Sequence, residues 1–215
     1  MPLLPHDSAA LAALRTPSAA APWRVLISAC QAGWGCGVDG THYGLAGAVP
    51  WLHTLPTIRL LPFCPEDVGL GTPRTMPDLH RGDGHDCLAG RARVLDPAGA
   101  DLTAGMVAGA EAMAAFAMAE GAALAVLTDM SAACGTQCQS EGCRFDTPRR
   151  FRRGVGVAAA RLLQLGLPLV SQRDFATLDR LRARAEPGFV PDPEKRDHHE
   201  HPWFVGYFGV AATET

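Results

Sequence analysis

The chain has no stretch of 18 or more apolar residues, which excludes a membrane-spanning helix of ordinary length. Residues 1–7 contain two prolines and no basic segment running into an apolar one, so they are not expected to act as an export leader. A cytoplasmic location is the resulting expectation, and thiols stay reduced there. Charge of one sign is missing as well, since the formal net charge is only -3 over 215 residues, so bulk charge argues neither for nor against nucleic acid. Paired Cys-x-x-Cys spacings are absent, and the cysteine count of 7 is odd. A disulfide framework fits neither observation, so the cysteines need another explanation.

What is present organises itself around Val25-Leu-Ile-Ser-Ala-Cys30, which breaks into the glycine-rich Gln31-Ala-Gly-Trp-Gly-Cys36-Gly-Val-Asp-Gly40. An apolar, β-branched run ending in a cysteine and a glycine loop reads as a buried strand delivering a thiol to the mouth of a site. The arrangement recurs twice. Residues 57–63 run into Cys64-Pro-Glu66, and residues 123–127 run through Thr-Asp-Met-Ser131 into Ala-Ala-Cys134-Gly135.

A chain of this length suits one domain and can bury about 70% of its unfolded surface. Residues 1–22 read as an extension and linker, 23–185 as the central domain, and 186–215 as a C-terminal extension packing on it. Strands are expected over residues 24–29, 57–63, 123–127 and 168–171, with a shorter one within 91–96. Helices are expected over 103–121, 155–165 and 174–184, with Thr103 or Asp101 as the N-cap of the first. Residues 45–55 carry Pro50 inside a helix-like pattern. Residues 68–87 read as one long irregular loop, dense in glycine, proline, histidine and aspartate. Strands alternating with helices predict an α/β fold: a mostly parallel sheet with helices on both faces, a three-layer sandwich. Ligands sit beyond the carboxyl ends of the strands in such sheets. Cys30, Cys64 and Cys134 all follow strands, so they can converge there.

Any single cysteine is more often a small buried hydrophobe than a ligand, and Cys87 is read that way. Three in equivalent positions suit a soft metal or an iron-sulfur cluster, because thiolate is the ligand those centres prefer. Cys134, Cys138 and Cys143, with His85 and Cys87 nearby, form a second local group that zinc could use. The His-rich Asp197-His-His-Glu-His201 reads as a mobile polar segment, followed by an ordered 203–208 that packs back on the domain. The run Arg149–Arg153 has the look of a phosphate or RNA contact, although a solvated face is the plainer reading.

At these residues the chain resembles a bacterial family, long catalogued as a domain of unknown function, whose characterised members are thiouracil desulfidases. The matching signatures are Ser28-Ala-Cys30 with Gly33, Cys36 and Asp39-Gly40; Cys64-Pro-Glu66 with Thr72-Pro-Arg74; Gly82-Asp-Gly84 with Gly90 and Ala92-Arg-Val94; Gly99-Ala-Asp101-Leu-Thr103 with Gly109-Ala110; and Ser131-Ala-Ala-Cys134-Gly135. They occur in the family order. The resemblance implies a cubane of four irons and four sulfides, held by Cys30, Cys64 and Cys134, with the fourth iron left open for the sulfur of a thiolated nucleobase or nucleoside. It also implies Glu66 and Ser131 as catalytic groups. Arg74 and Asp39 are then the candidates for contacting substrate, Asp39 having a second use in shaping its glycine turn.

Three departures from the family pattern stand out. Two alanines precede Cys134 where the family has Ser-Pro-Ser. A lysine common upstream is absent from Leu127-Thr-Asp-Met130. The segment after Gly135 holds Cys138, Cys143 and the arginine run instead of a tyrosine-aspartate-glycine turn. The chemistry expected is hydrolytic and non-redox, releasing sulfide, with Glu66 as general base on water. The rival readings are a zinc-binding structural or regulatory module and a protein that carries persulfide on one cysteine, its thiolate stabilised by the glycine loop after Cys30.

Overall fold

A computed structural model describes residues 8–209. In chain order the elements are α1 (Ser8–Ala13), β1 (Trp23–Ser28), α2 (Trp51–Thr54), β2 (Ile58–Phe63), α3 (Pro65–Leu70), β3 (Asp78–His80), α4 (Gly84–Leu88), β4 (Arg93–Leu95), α5 (Thr103–Ala119), β5 (Leu124–Leu127), β6 (Cys138–Ser140), β7 (Phe151–Arg153), α6 (Val157–Gln164), β8 (Leu169–Ser171), α7 (Phe175–Ala185) and α8 (Pro202–Phe208). β1, β2, β5 and β8 form a four-stranded sheet in the order β2-β1-β5-β8, parallel throughout. β3 with β4 and β6 with β7 make separate antiparallel pairs.

Period-2 alternation assigns the two faces. Leu26, Ala125, Leu127 and Leu169 join Met106, Ala110 and Met113 of α5 and Ala158, Ala159 and Leu162 of α6 in one core. Val25, Ile27, Leu124, Val126 and Val170 face the other way, onto Trp51, Leu52, Leu178 and Leu181. Helices therefore cover both faces, as the sequence predicts for the fold class. None of the described helices is long and apolar enough to cross a membrane.

Two expectations need correction. Residues 68–87 are not one irregular loop, because they contain the end of α3, β3 and α4. β3 is three residues long and exists only through its pairing with β4. α4 starts at a capping box, in which Asp83 accepts the His85 and Asp86 N–H groups and Asp86 accepts that of Asp83. In residues 45–55 only Trp51–Thr54 is helical, with Pro50 at its N-cap. The N-cap position of α5 is Leu102, while Asp101 accepts the Thr103 N–H at 2.9 Å and the Thr103 hydroxyl accepts that of Val94 at 2.9 Å.

α3 lies directly on α5, backbone against backbone. A Cβ on Gly69 would meet the Gly105 carbonyl, and one on Gly109 would meet that of Pro65. Gly156, at the start of α6, approaches Ala132 and Ala133 equally closely. Small residues thus fix the segments that follow β2 and β5.

Candidate active site

The carboxyl ends of β1, β2 and β5 open onto a cavity of about 280 Å³. From β1 the chain steps outward to β2, then crosses to β5 on the other side of β1 and continues to β8, so the winding reverses between β1 and β5, the position where such sheets place ligands. Cys30 comes from the 3-10 turn Ala29–Ala32 that ends β1, Cys64 from the residue after β2, and Cys134 from the loop after β5. All three line the cavity, and so does Cys36 from the glycine loop. None of the chain's cysteines is in a disulfide.

The four thiols differ in their surroundings. Cys36 hydrogen-bonds both Cys30 and Cys64. That contact, helped by Thr128 Oγ1 at 3.3 Å and opposed by burial, pulls Cys30 down to about 7. Cys64 is also lowered, chiefly by Cys36, and its Sγ accepts the Asp67 N–H at 3.4 Å. Cys36 is pushed up as the donor in both contacts. Burial drives Cys134 well above the ordinary thiol range, although Ser28 contributes a hydrogen bond. The donor set fits a thiolate-bound centre: soft ligands from separate strands face one cavity, and two of them are already biased toward thiolate.

Glu66 stands beside the thiols on α3. Its Oε1 accepts the Ser131 hydroxyl at 3.0 Å and its Oε2 accepts Arg74 Nη2 at 2.6 Å. The Ser131 oxygen in turn accepts the N–H groups of Ala133 at 3.2 Å and Cys134 at 3.0 Å. Those two donors leave its own proton to Glu66. Met130, immediately before, has φ 61, a left-handed backbone that a side chain of its size rarely adopts. Such strain is held where the surroundings over-determine the backbone.

Arg74 lines the cavity, but its Nη donors are spent within the protein: on Glu66, on the Cys36 carbonyl at 3.0 Å, and on Gly71 O and Thr72 Oγ1 at 3.0 Å each. Its arrangement is that of a clamp on Glu66 and the glycine loop. Asp39 is not among the lining residues. It is exposed, and its carboxylate accepts the Thr41 N–H at 2.9 Å and hydroxyl at 2.8 Å, the bonding of a residue that shapes its turn.

The local zinc set is corrected. Cys134, Cys138, Cys143 and His85 do not come within ligand range as a group, and Cys138 instead lies beside Asp129 and His198. The His-rich tract is not wholly a polar surface segment, since Asp197 and His198 are buried. Of the arginine run, Arg152 pairs with Glu141, Arg153 lies over Phe204 and Phe208, and Arg149 lies over Phe151 while holding Ser140 Oγ at 2.8 Å. Arg153 thus holds the chain's own C-terminal segment, while Arg149 and Arg152 are tied to Ser140 and Glu141 at the end of β6; these internal partners undercut an RNA contact. Sequence reasoning gave no role to Cys36, Thr128 or Asp129. Cys36 had a signal, because it sits in the same glycine loop as Cys30.

Fold and cavity together define an α/β protein with a thiolate-lined site at the carboxyl edge of a parallel sheet. A profile of the 2-thiouracil desulfurase family matches residues 25–174, and the chain belongs to that family. The solved structure of a [4Fe-4S]-dependent thiouracil desulfidase, TudS, aligns with a TM-score of 0.61 at 29% identity, covering 75% of this chain and 98% of that one. An uncharacterized protein of Bacillus subtilis (strain 168), YbbK, is 29% identical over 152 residues, which is 70% of this chain and 97% of that protein.

Proposed function

We propose that the protein is a cluster-dependent desulfidase that converts the C=S group of a thiolated nucleobase or nucleoside to C=O, consuming water and releasing hydrogen sulfide. The observation that carries this reading is the convergence of Cys30, Cys64 and Cys134 with the Glu66 and Ser131 pair on one cavity. Family membership and the likeness to TudS support it. Cys30, Cys64 and Cys134 would hold a [4Fe-4S] cluster, which supplies an iron free of protein ligands as a soft Lewis acid toward the thione sulfur.

The chain's own groups do the proton work. Glu66 accepts a proton from the attacking water, and the bonded Ser131 hydroxyl keeps its carboxylate turned to the cavity. Arg74 fixes the other carboxylate oxygen. Addition of the water oxygen to carbon turns C=S into a C–S single bond; as the new hydroxyl loses its proton and C=O forms, the C–S bond breaks, and both water protons end on the departing sulfur, the first by way of Glu66. No electron is gained or lost. The apolar walls, among them Phe63, Leu45 and Met76, suit a flat heterocycle.

The test is anaerobic reconstitution with iron and sulfide, followed by 2-thiouracil, 4-thiouracil and thiouridine as substrates with free sulfide measured. Sulfide and the oxo product in equal amounts are expected. A fully loaded protein that turns over none of the three would overturn the reading. Turnover that survived a Cys64→Ala and Cys134→Ala double substitution would show that the cluster ligands are not required and would overturn the reading.

A further inference from the structure

The departures from the family pattern meet at one place. Asp129 lies in the stretch where the family lysine is absent, and Cys138 lies where the family turn is replaced. His198 comes from beyond residue 174, where the family match ends. The structure folds the three together in the interior, each offering a ligand atom within 4.8 Å of the others, all buried.

The surroundings are built for more than a packed core. Asp129 Oδ1 accepts the backbone N–H groups of Met130 at 3.0 Å, Thr136 at 2.9 Å and Gln137 at 3.1 Å, which gathers the loop carrying Ser131 and Cys134. Its Oδ2 meets His198 Nδ1 at 2.6 Å. The imidazole is fixed by Trp203, stacked at 9°, and by the edge of Phe204, and the backbone N–H of His198 donates to Asp174 Oδ1 at 3.1 Å. Yet the remaining ring nitrogen, Nε2, is buried with no partner. In the same loop Thr136 Oγ1 and Gln137 Oε1 are likewise buried and unpartnered. Buried polar atoms are nearly always satisfied; here the unpartnered ones belong to residues bonded to Asp129, whose Oδ2 converges with His198 Nδ1 and the Cys138 sulfur.

We propose that Asp129, Cys138 and His198 form a site for a single zinc-class divalent ion, separate from the thiols of the cavity, that fastens the C-terminal segment to the loop after β5. Thiolate, imidazole and carboxylate are the donors zinc takes, and three protein ligands leave a fourth position for water or a neighbouring oxygen. The ion would take the place of the proton between Asp129 Oδ2 and His198 Nδ1, which are 2.6 Å apart, with the Cys138 sulfur as the third donor. The ion cancels the buried carboxylate charge and replaces the Cys138 proton, which is released on binding. The inference does not depend on the desulfidase reading.

The experiment uses the full chain with Cys30, Cys36, Cys64 and Cys134 changed to serine, so that the cavity thiols hold no metal. Zinc is added, the protein desalted, and bound metal counted; cobalt(II) is used in parallel for its thiolate charge-transfer band. About one ion per chain is expected. Adding Cys138→Ser should remove both the zinc and the cobalt band, adding His198→Asn should remove most of the zinc, and Cys143→Ala should leave both unchanged. Folding of each variant is followed by circular dichroism, and Cys138→Ser, nearly isosteric, guards against loss by unfolding. A folded parent that retains no zinc, or equal retention in the Cys138→Ser and His198→Asn variants, would overturn the proposal.

Discussion

The loop after β5 has two sides, and they treat similar chemistry in opposite ways. Toward the cavity, Cys30 and Cys64 are partly exposed and receive hydrogen bonds from a third thiol, so both are held low. Toward the interior, Cys138 is fully buried beside Asp129, and burial first, then that carboxylate, drives its thiol up. Donors and solvent access, not residue type, set the proton affinity of a thiol. One side is therefore prepared for ligand exchange. The other is prepared for permanence.

The largest effect that would break this contrast is expected from Cys64→Ala. It should abolish both iron uptake and sulfide release while leaving unfolding by denaturant nearly unchanged, which iron analysis and a urea titration can read. Glu66→Gln should keep the cluster absorbance and lower kcat by about 10²- to 10⁴-fold, the size of effect general base catalysis supplies. Cluster loss in that variant would make Glu66 a structural residue.

On the interior side, His198→Ala leaves the Asp129 carboxylate buried without its imidazole, and the expected cost is about 3 kcal/mol of unfolding free energy. A change below about 0.5 kcal/mol, ordinary for an unimportant surface site, would dissolve the contrast. The smallest effect concerns Cys30 in protein free of cluster. Because its thiol is lowered to about 7, alkylation should level off above that pH and fall away below it. Thr128→Val removes the hydroxyl at 3.3 Å and should move the midpoint upward, as a pH series of alkylation rates would show.

The parallel sheet was legible because β-branched runs carry their own signal, and the placement of Cys30, Cys64 and Cys134 followed from their position at strand ends. Glu66 was within reach as the second residue after Cys64. The partnership of Arg74 with Glu66 was not, since an arginine after proline in a loop looks solvated until the fold brings α3 against it. The box formed by Asp83 and Asp86 was readable and obscured only by the glycines around it. His198 could not be read at all: its tract is polar, and its burial comes from a partner 69 residues away.

The contact of Gly69, Gly105 and Gly109 makes the cavity a vice with one fixed jaw. Where Gly69 and Gly109 meet Gly105 and Pro65, backbone lies on backbone with only the Leu70 side chain beside Gly105, so little that is compressible stands behind Cys64 and Glu66, and a shift of theirs would press on the 17-residue α5. The facing wall, Cys36, Gly37, Val38, Tyr43 and Leu45, belongs to a loop with no regular secondary structure. In the proposed reaction, substrates of different width would be accommodated from that side, while Glu66 and Cys64 keep their separation. Tolerance and chemistry are assigned to different jaws.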